Sequence, residues 1–509
     1  MTKPAGIRHH LELLPLLPSS WRLWNCSVNQ QLATQLTFSV NGEPVSPQAV
    51  SPAMTLLEYL RLSGRAGTKE GCGDGDCGAC TVALIGESAD GKPQYQAVNS
   101  CLIPLGAVAG RQVFTADGIT QGRIPKSPLV KEPVTADQLH PVQAAMVETG
   151  GSQCGYCTPG FIMSLFAAYY NGGPDDLAVE GNLCRCTGYL PIRRAAQQVA
   201  EALVEDQFSA QLATASPDLL PLAYGGPDEQ FYRPTQLSEV LDLIQQHPGA
   251  TLVAGATDLG LEMSWHRQHY PTLISLEAVA ELTQIHQTED CVEIGAAVPL
   301  SHIETSLHGV FPSLDEMIHW FAARQVRNRA TLGGNIGTAS PIGDLPPVLL
   351  SLDATLTLAG PGGERTLPLA NFFTGYRQTE LQPGEVIVSV QIPRSPAPGT
   401  ARRLAQSYKI GKRGTDDISI VAAAFVVDVD DRNTILQARL GYGGVAATPA
   451  RATAVEDFLV GQPWTMETVQ AVKPLLQEAF TPLTDLRGSA QYRQRLVVNL
   501  FEKFFVEFP

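Results

Sequence analysis

Three cysteines in the stretch Gly71 to Cys80, namely Cys72, Cys77 and Cys80, are spaced C-x4-C-x2-C, and Cys101 follows after a strand-like run. This is the plant-type ligand spacing of a [2Fe-2S] cluster. The interleaved Gly73, Gly75 and Gly78 tolerate positive φ. They allow the sharp bends that bring backbone N–H groups to the sulfurs, where such groups tune the reduction potential. The plainer alternatives are a zinc site or a disulfide pair. Zinc sites usually repeat C-x2-C pairs, which a four-residue gap in a glycine-rich loop fits poorly.

A second set, Cys154, Cys157, Cys184 and Cys186, reads C-x2-C followed by C-x-C. Both pairs fall near expected helix starts, where N–H groups and the positive dipole end favour thiolates. Four thiolates on two such loops suit a second [2Fe-2S] cluster or a zinc ion, and spacing alone leaves both open.

No metal-type cysteine set follows residue 205. Two glycine-rich turns do: Ala254-Gly255-Ala256-Thr257-Asp258-Leu259-Gly260 after a short apolar strand, Thr251 to Val253, and the run Ala330 to Pro341. Such turns can present nests of backbone N–H groups to a pyrophosphate. Neither reads G-x-G-x-x-G, so a Rossmann site is not supported. Taken singly, each is an ordinary loop.

The elements that must position these groups change along the chain. Leu36, Phe38 and Val40 alternate before Asn41-Gly42, a hairpin signal. A helix over Thr55 to Leu62 and strands over Thr81 to Ile85, Ala97 to Cys101 and Gln112 to Thr115 complete a small ferredoxin-like α+β domain ending near residue 118. From His140 the period turns helical, with a glycine stop at Gly150-Gly151. Thr158 reads as an N-cap and Pro159 as the first helical residue. Phe161 to Tyr170 is apolar nearly all round and should be the buried helix of a bundle. A further helix starts at Pro191. Residues 205–228, rich in proline and glycine, read as a linker. Beyond residue 400, Ile418 to Val429 and Thr434 to Leu440 read as strands, and Met466 to Phe480 and Ser489 to Phe505 as amphipathic helices.

The 509 residues leave room for about three to four domains. With 35 basic and 50 acidic residues the net charge is -15, which argues against binding nucleic acid through its phosphates. Eight of the ten cysteines fall in the two sets, with Cys26 and Cys291 apart, a usage that suits a reducing compartment such as the cytoplasm. The longest clean apolar run, Ile420 to Val427, is too short to span a membrane. Lys3 and Arg8 precede a leucine-rich stretch, but Glu12 and two prolines break it, and no cleavage signal follows. Residues 1–34 therefore read as an extension of unknown role.

At this point several motifs carry a family resemblance. They are Glu70-Gly71-Cys72-Gly73 through Cys80, Gly151-Ser152-Gln153-Cys154-Gly155-Tyr156-Cys157-Thr158-Pro159-Gly160, Gly181-Asn182-Leu183-Cys184-Arg185-Cys186-Thr187-Gly188-Tyr189, and Gly333-Gly334-Asn335-Ile336 with Ala339-Ser340-Pro341. In this order, from about Leu36 to the C-terminus, the chain resembles the small subunit of bacterial xanthine dehydrogenases, within the molybdenum hydroxylase family.

The resemblance implies a multidomain α+β fold. Residues 35–118 would form a β-grasp ferredoxin-like [2Fe-2S] domain, and 119–204 a helical [2Fe-2S] domain. After the linker, 229–397 would be an FAD-binding domain of the vanillyl-alcohol-oxidase type, and 398–509 a C-terminal domain like that of carbon monoxide dehydrogenase flavoproteins. It implies that both cysteine sets hold [2Fe-2S] clusters. Leu252, Val253, Ala254, Gly255, Ala256, Thr257, Asp258 and Leu259 would line FAD, with Thr331, Leu332, Gly333, Gly334, Asn335 and Thr338. Asp344, Ile387 and Lys409 match further flavin contacts and Phe321 a nearby aromatic, although Phe321 and Ile387 read equally well as plain core. Asp416 and Asp417 match a loop beside the flavin that influences whether NAD or oxygen is reduced; the plainer reading is a solvated acidic turn.

By the same resemblance, a separate large subunit carries a molybdenum–pterin centre that hydroxylates hypoxanthine and xanthine to urate. Electrons pass through the helical-domain cluster and the ferredoxin-like cluster to FAD and then NAD, in a heterotetramer of two small and two large subunits. No catalytic acid–base pair is expected in this chain beyond the FAD site. Two other readings stand beside this one: a related hydroxylase acting on an aldehyde or another N-heterocycle, and a non-catalytic iron–sulfur electron carrier.

Overall fold

The computed structural model describes residues 34–120, 138–200 and 205–509. Residues 1–33 of the expected extension, Cys26 among them, lie outside the described residues. Among those described, no helix is long and apolar enough to cross a membrane.

The alternation at Leu36, Phe38 and Val40 buries one face of the first strand. It ends at Asn41 and Gly42, at φ 54° and 77°, the backbone that a two-residue hairpin requires. Strands β1 (Phe38–Val40) and β2 (Glu43–Val45) pair across this turn. With β3 (Thr81–Glu87), β4 (Pro93–Asn99) and β5 (Gln112–Phe114) they form a sheet in the order β2-β1-β5-β3-β4, parallel only between β1 and β5. The helix Leu56–Leu62 is capped by the Thr55 hydroxyl. It sends Leu56 and Leu60 into the core of this sheet and Leu57 against Cys80 and Cys101. The expected strand over Ala97 to Cys101 is corrected to β4, which ends at Asn99. There the Asn99 amide donates to the Gly75 carbonyl at 2.7 Å, the chain turns, and Cys101 is delivered 3.3 Å from Cys80.

Three helices, Pro141–Glu148, Thr158–Tyr170 and Leu190–Ala200, build the next part. As the sequence implied, Phe161, Leu165, Phe166 and Tyr169 are all buried. Thr158, however, is the first residue of its helix rather than the cap; Cys157 takes the cap position without a side-chain bond, and the Thr158 hydroxyl meets Ser152 at 2.7 Å instead.

The stretch read as a linker holds a helix, Gln207–Thr214, and strand β6 (Leu222–Gly225). Asp206 and Ser209 cap that helix reciprocally, and its Phe208 packs edge-on against Phe114 and Phe166. The prolines and glycines marked real turns, but this capping pair and one buried aromatic outweigh them.

Strands β7 (Gln230–Arg233), β8 (Thr251–Val253) and β9 (Thr272–Ser275) join β6 in the order β6-β7-β9-β8. A second, antiparallel sheet is built from β10 (Ile285–Gln287), β11 (Cys291–Gly295), β12 (Thr355–Gly360), β13 (Gly363–Pro368) and, beyond the ribbon of β14 (Phe373–Gly375) and β15 (Gln378–Thr379), β16 (Val386–Pro393). Its order is β10-β11-β16-β12-β13. The C-terminal sheet runs β17 (Arg402–Ile410), β18 (Val421–Val429), β19 (Ile435–Gly443), β20 (Ala450–Arg451), backed by helices Met466–Glu478 and Ala490–Glu507. β18 starts three residues later than expected, because Ser419 turns its hydroxyl onto the Asp344 carboxylate at 2.5 Å.

The ferredoxin-like sheet and the β6–β9 sheet share one apolar core, in which Leu105 and Val108 meet Leu222, Phe231 and Leu273. Beside that core lies a buried ion cluster. Glu277 takes Arg111 at 2.7 Å and Arg329 at 2.8 Å, with Arg233 at 4.0 Å. Burial alone would raise the Glu277 carboxyl; Arg111, Arg329 and Arg233 overcome that and hold it at about 2. The unfolded carboxyl titrates near 4.5. The stabilisation is therefore complete above that value and is lost as pH falls towards 2. Removing the single anion strands three buried guanidiniums, so Glu277→Gln should cost about 3–5 kcal/mol. Urea unfolding at pH 7 measures this, and the deficit should shrink between pH 4.5 and pH 2.

Candidate iron–sulfur and flavin sites

The first cysteine set folds as two pairs. Cys72 and Cys77 face one another, each backbone N–H donating to the other's sulfur at 3.3 Å. Buried Cys80 and Cys101 form the second pair. The hydrogen bond between the two thiols draws that of Cys77 down to about 6 and pushes that of Cys72 well above its usual range. The loop admits no extra bulk. A Cβ on Gly71 would lie 2.5 Å from the Cys77 sulfur, and Gly75, at φ 89°, is closed in by Leu102.

In the second set the side chain of Cys154 interacts with that of Cys186, and the side chain of Cys157 with that of Cys184. Cys184 is buried, whereas Cys154 and Cys186 are exposed. Its sulfur meets the Thr187 hydroxyl at 3.1 Å, and its amide donates to the Tyr189 hydroxyl at 2.9 Å. Among the described residues no three His, Cys, Asp or Glu side chains converge on a single ion. A zinc ion gathers four thiolates about one point, whereas a [2Fe-2S] cluster takes two on each iron. The four thiols of each set can be shared out two to an iron, as a two-iron cluster requires.

The two cysteine loops touch. The Leu183 amide, next to Cys184, donates to the Cys77 carbonyl at 2.9 Å. Asn182 donates to the Gly78 carbonyl at 2.9 Å, and the Tyr156 hydroxyl donates to the Glu70 carbonyl. Asn182 in turn accepts from Ser164 at 2.6 Å and from Gln325 at 3.1 Å, so three parts of the chain meet at one amide. Motif spacing marked the cysteines but gave no sign of this junction.

The two glycine-rich turns, far apart in sequence, come together. Gly255 rests on the segment that leads into the second turn, where a Cβ would lie 1.8 Å from the Arg329 carbonyl. Ala256 stands at φ 65°, and among the described residues the amides of Gly255, Ala256 and Thr257 have no hydrogen-bond acceptor. In the second turn Thr331 caps the short helix Leu332–Gly337, Gly333 packs on Ala296, and the Asn335 Oδ1 is buried without a partner. Free amides in a positive-φ turn and an orphaned side-chain oxygen fit a bound pyrophosphate-bearing ligand such as FAD.

Asp344 and Lys409 form a buried pair at 3.0 Å. Lys409 also donates to the carbonyls of Trp320 and Thr415, both at 2.9 Å, which places Phe321 and the 411–417 loop beside it. Ile387 lies in the apolar core with Ile336, and half-buried Phe321 packs on the same core, so the plain-core reading holds for both as the chain stands. Asp417 accepts the amides of Lys412 and Arg413 and so acts as a turn-capping acid. Asp416 differs: its Oδ2 is shielded and unpartnered, and burial, with Asp76 and Glu180 nearby, pushes its carboxyl up to about 7.

Comparisons with known proteins follow this order of parts. The model of the 2Fe-2S iron-sulfur cluster binding domain matches residues 38–106, and that of the [2Fe-2S] binding domain residues 130–197. The FAD binding domain in molybdopterin dehydrogenase matches 227–395, and the CO dehydrogenase flavoprotein C-terminal domain 406–508. Xanthine dehydrogenase of Emericella nidulans is 34% identical over 92% of this chain and 38% of its own length. Xanthine dehydrogenase/oxidase of Gallus gallus is 32% identical over 93% and 40%. The chain thus spans 38–40% of the length of these curated relatives. Among solved structures, a carbon monoxide dehydrogenase from Hydrogenophaga pseudoflava is 30% identical, covering 56% of this chain and 96% of that one, with a TM-score of 0.51. Quinoline 2-oxidoreductase from Pseudomonas putida 86 is 27% identical, covering 55% and 96%, also at 0.51. Two paired cysteine sets, two converging glycine turns and four domain models in this order place the chain in the molybdenum hydroxylase family, as its iron–sulfur and FAD subunit.

Proposed function

We propose that the chain is the electron-transfer subunit of a xanthine dehydrogenase, receiving electrons from a molybdenum–pterin partner and delivering them to NAD. One observation carries the choice of xanthine: the xanthine dehydrogenases align over 89–94% of the chain, whereas the carbon monoxide and quinoline enzymes reach 54–56%. A single chain joining both iron–sulfur parts to the flavin part is what those longer alignments share with it.

In this reading Cys72, Cys77, Cys80 and Cys101 hold one cluster, and Cys154, Cys157, Cys184 and Cys186 the other. Residues Leu252 to Leu259 and Thr331 to Asn335, with Thr338, hold the FAD phosphates and ribityl chain, and Asp344, Lys409, Ile387 and Phe321 border the ring. Bound there, the clusters supply one-electron carriers and FAD the two-electron hydride chemistry. The chain's own residues set the spacing. The Leu183–Cys77 hydrogen bond holds the cysteine loops in contact, and the Gly255–Arg329 contact holds the flavin turns together. A docking face for the partner is supported by exposed Tyr156, Leu183 and Leu190 around exposed Cys154 and Cys186, an apolar patch left open beside the second set.

Co-expression with a molybdenum partner tests the whole reading. Xanthine should reduce NAD, and reduction with quinoline or an aldehyde but not xanthine would move the chain to a different hydroxylase. Gly71→Ala forces a methyl into the Cys77 sulfur, so acid-labile sulfide should fall by about half while the second cluster keeps its visible absorbance. Asp416 is raised in the folded chain, from 3.8 to about 7. Its contribution to stability is therefore present below 3.8 and is lost as pH rises through 7. Asp416→Asn should remove that loss, so its thermal midpoint should exceed the parent's above pH 7 and approach it at pH 5.

A further inference from the structure

The segment after the first glycine turn reaches the ferredoxin-like part at two places, Leu102 and Cys72. Gly260 lies on Leu102, next to Cys101, and a Cβ there would sit 2.1 Å from the Leu102 carbonyl. The chain then makes a π-turn over Glu262–His266, closed by Arg267 at φ 51°. Such wider turns rotate a side chain out of α-helical register and are frequent at functional sites. Here the turn carries Trp265 to the cysteine loop, where its indole N–H donates to the Cys72 carbonyl at 2.9 Å. Gly73 makes that approach possible, since a Cβ on it would meet Trp265 Nε1 at 3.2 Å and Ser264 Oγ at 3.3 Å. Arg267 anchors the far end on Glu58 at 3.1 Å.

Core packing does not account for this tryptophan, because it is 60% exposed. What it retains is one directed hydrogen bond to the residue that carries a cluster sulfur. An N–H dipole aimed at a ligand's peptide adds positive potential on that side of the cluster and favours its reduced form. The same segment is continuous with the turn that presents free amides to the flavin phosphates.

We propose that Trp265 is a positioning residue for electron transfer, its indole N–H fixing the Cys72 side of the cysteine loop against the flavin turn and tuning the potential of the ferredoxin-like cluster. This rests on the cluster and FAD assignments above. The test compares the holoprotein with Trp265→Phe, which keeps the ring and loses the donor, and with Trp265→Ala, Ser264→Ala serving as control. Each is titrated electrochemically under argon and followed by EPR, with iron, sulfide and FAD counted. With cofactor content equal to the parent's, Phe and Ala should both move the midpoint potential of the ferredoxin-like cluster to lower values and alter its g-values. The second cluster serves as internal reference and should not move, and Ser264→Ala should match the parent. Loaded Phe and Ala variants with the parent's potential and g-values would overturn the role of Trp265 alone, whereas a parent chain that takes up no cluster would overturn the assignment beneath it.

Discussion

One amide, Leu183 N–H, joined to the Cys77 carbonyl, sets the distance between the two cysteine loops. Electron transfer between centres requires that they be held close, and most of the surrounding structure serves this contact. Asn182 repeats it one residue away, on the Gly78 carbonyl, and is fixed by Ser164 and Gln325. Gly160 lets the helix Thr158–Tyr170 press on Gly78, where a Cβ would meet the Gly78 carbonyl at 2.2 Å. A neutral seam of backbone and amide groups suits the purpose. No ion pair is needed across it, and the buried Glu180–Arg327 pair lies to one side.

The flavin side is held by charge. Glu277 gathers arginines from the ferredoxin-like part, from β7 and from the approach to the second glycine turn. With three guanidiniums on one carboxylate, the excess is positive and buried. Arg329 belongs to this cluster through its side chain, while its carbonyl is the surface on which Gly255 rests. Docking of the ferredoxin-like part and closure of the flavin turns thus depend on the same residues. Further out, Lys409 and Asp344 pair against the 411–417 loop, where Asp416 carries the one carboxyl there raised to about 7.

Much of this was legible in the sequence because its signals are local. The cysteine spacings, the Asn41-Gly42 turn and the all-apolar helix after Pro159 each report on a few neighbouring residues, and each was found where the sequence placed it. Contacts between distant segments were not legible. Gly255 and Arg329 are remote in the chain, and nothing in either turn announces the other. Glu277 and its arginines carry no local mark, because burial of a charge depends on partners that only the fold brings in. Trp265 was one aromatic among many. The Asp206 cap was passed over because Pro217, Pro221 and Pro227 further along coloured the whole stretch as a linker, and the Thr158 cap was misplaced by one residue because Ser152 competes for its hydroxyl. Phe321 and Ile387 both sit on one apolar cluster, which is what an apolar residue in either sequence context would be expected to do.

The pairing of thiols within each set is the feature on which the electron path stands, and metal analysis with EPR of the reduced chain, prepared without air, examines it most directly. About four irons and four sulfides per chain, with two distinguishable S = 1/2 signals, are expected if both sets hold [2Fe-2S] clusters. About two irons, one zinc and a single EPR signal would contradict this: the second set would then be a structural metal site, and no relay of two clusters would run through the Leu183–Cys77 contact.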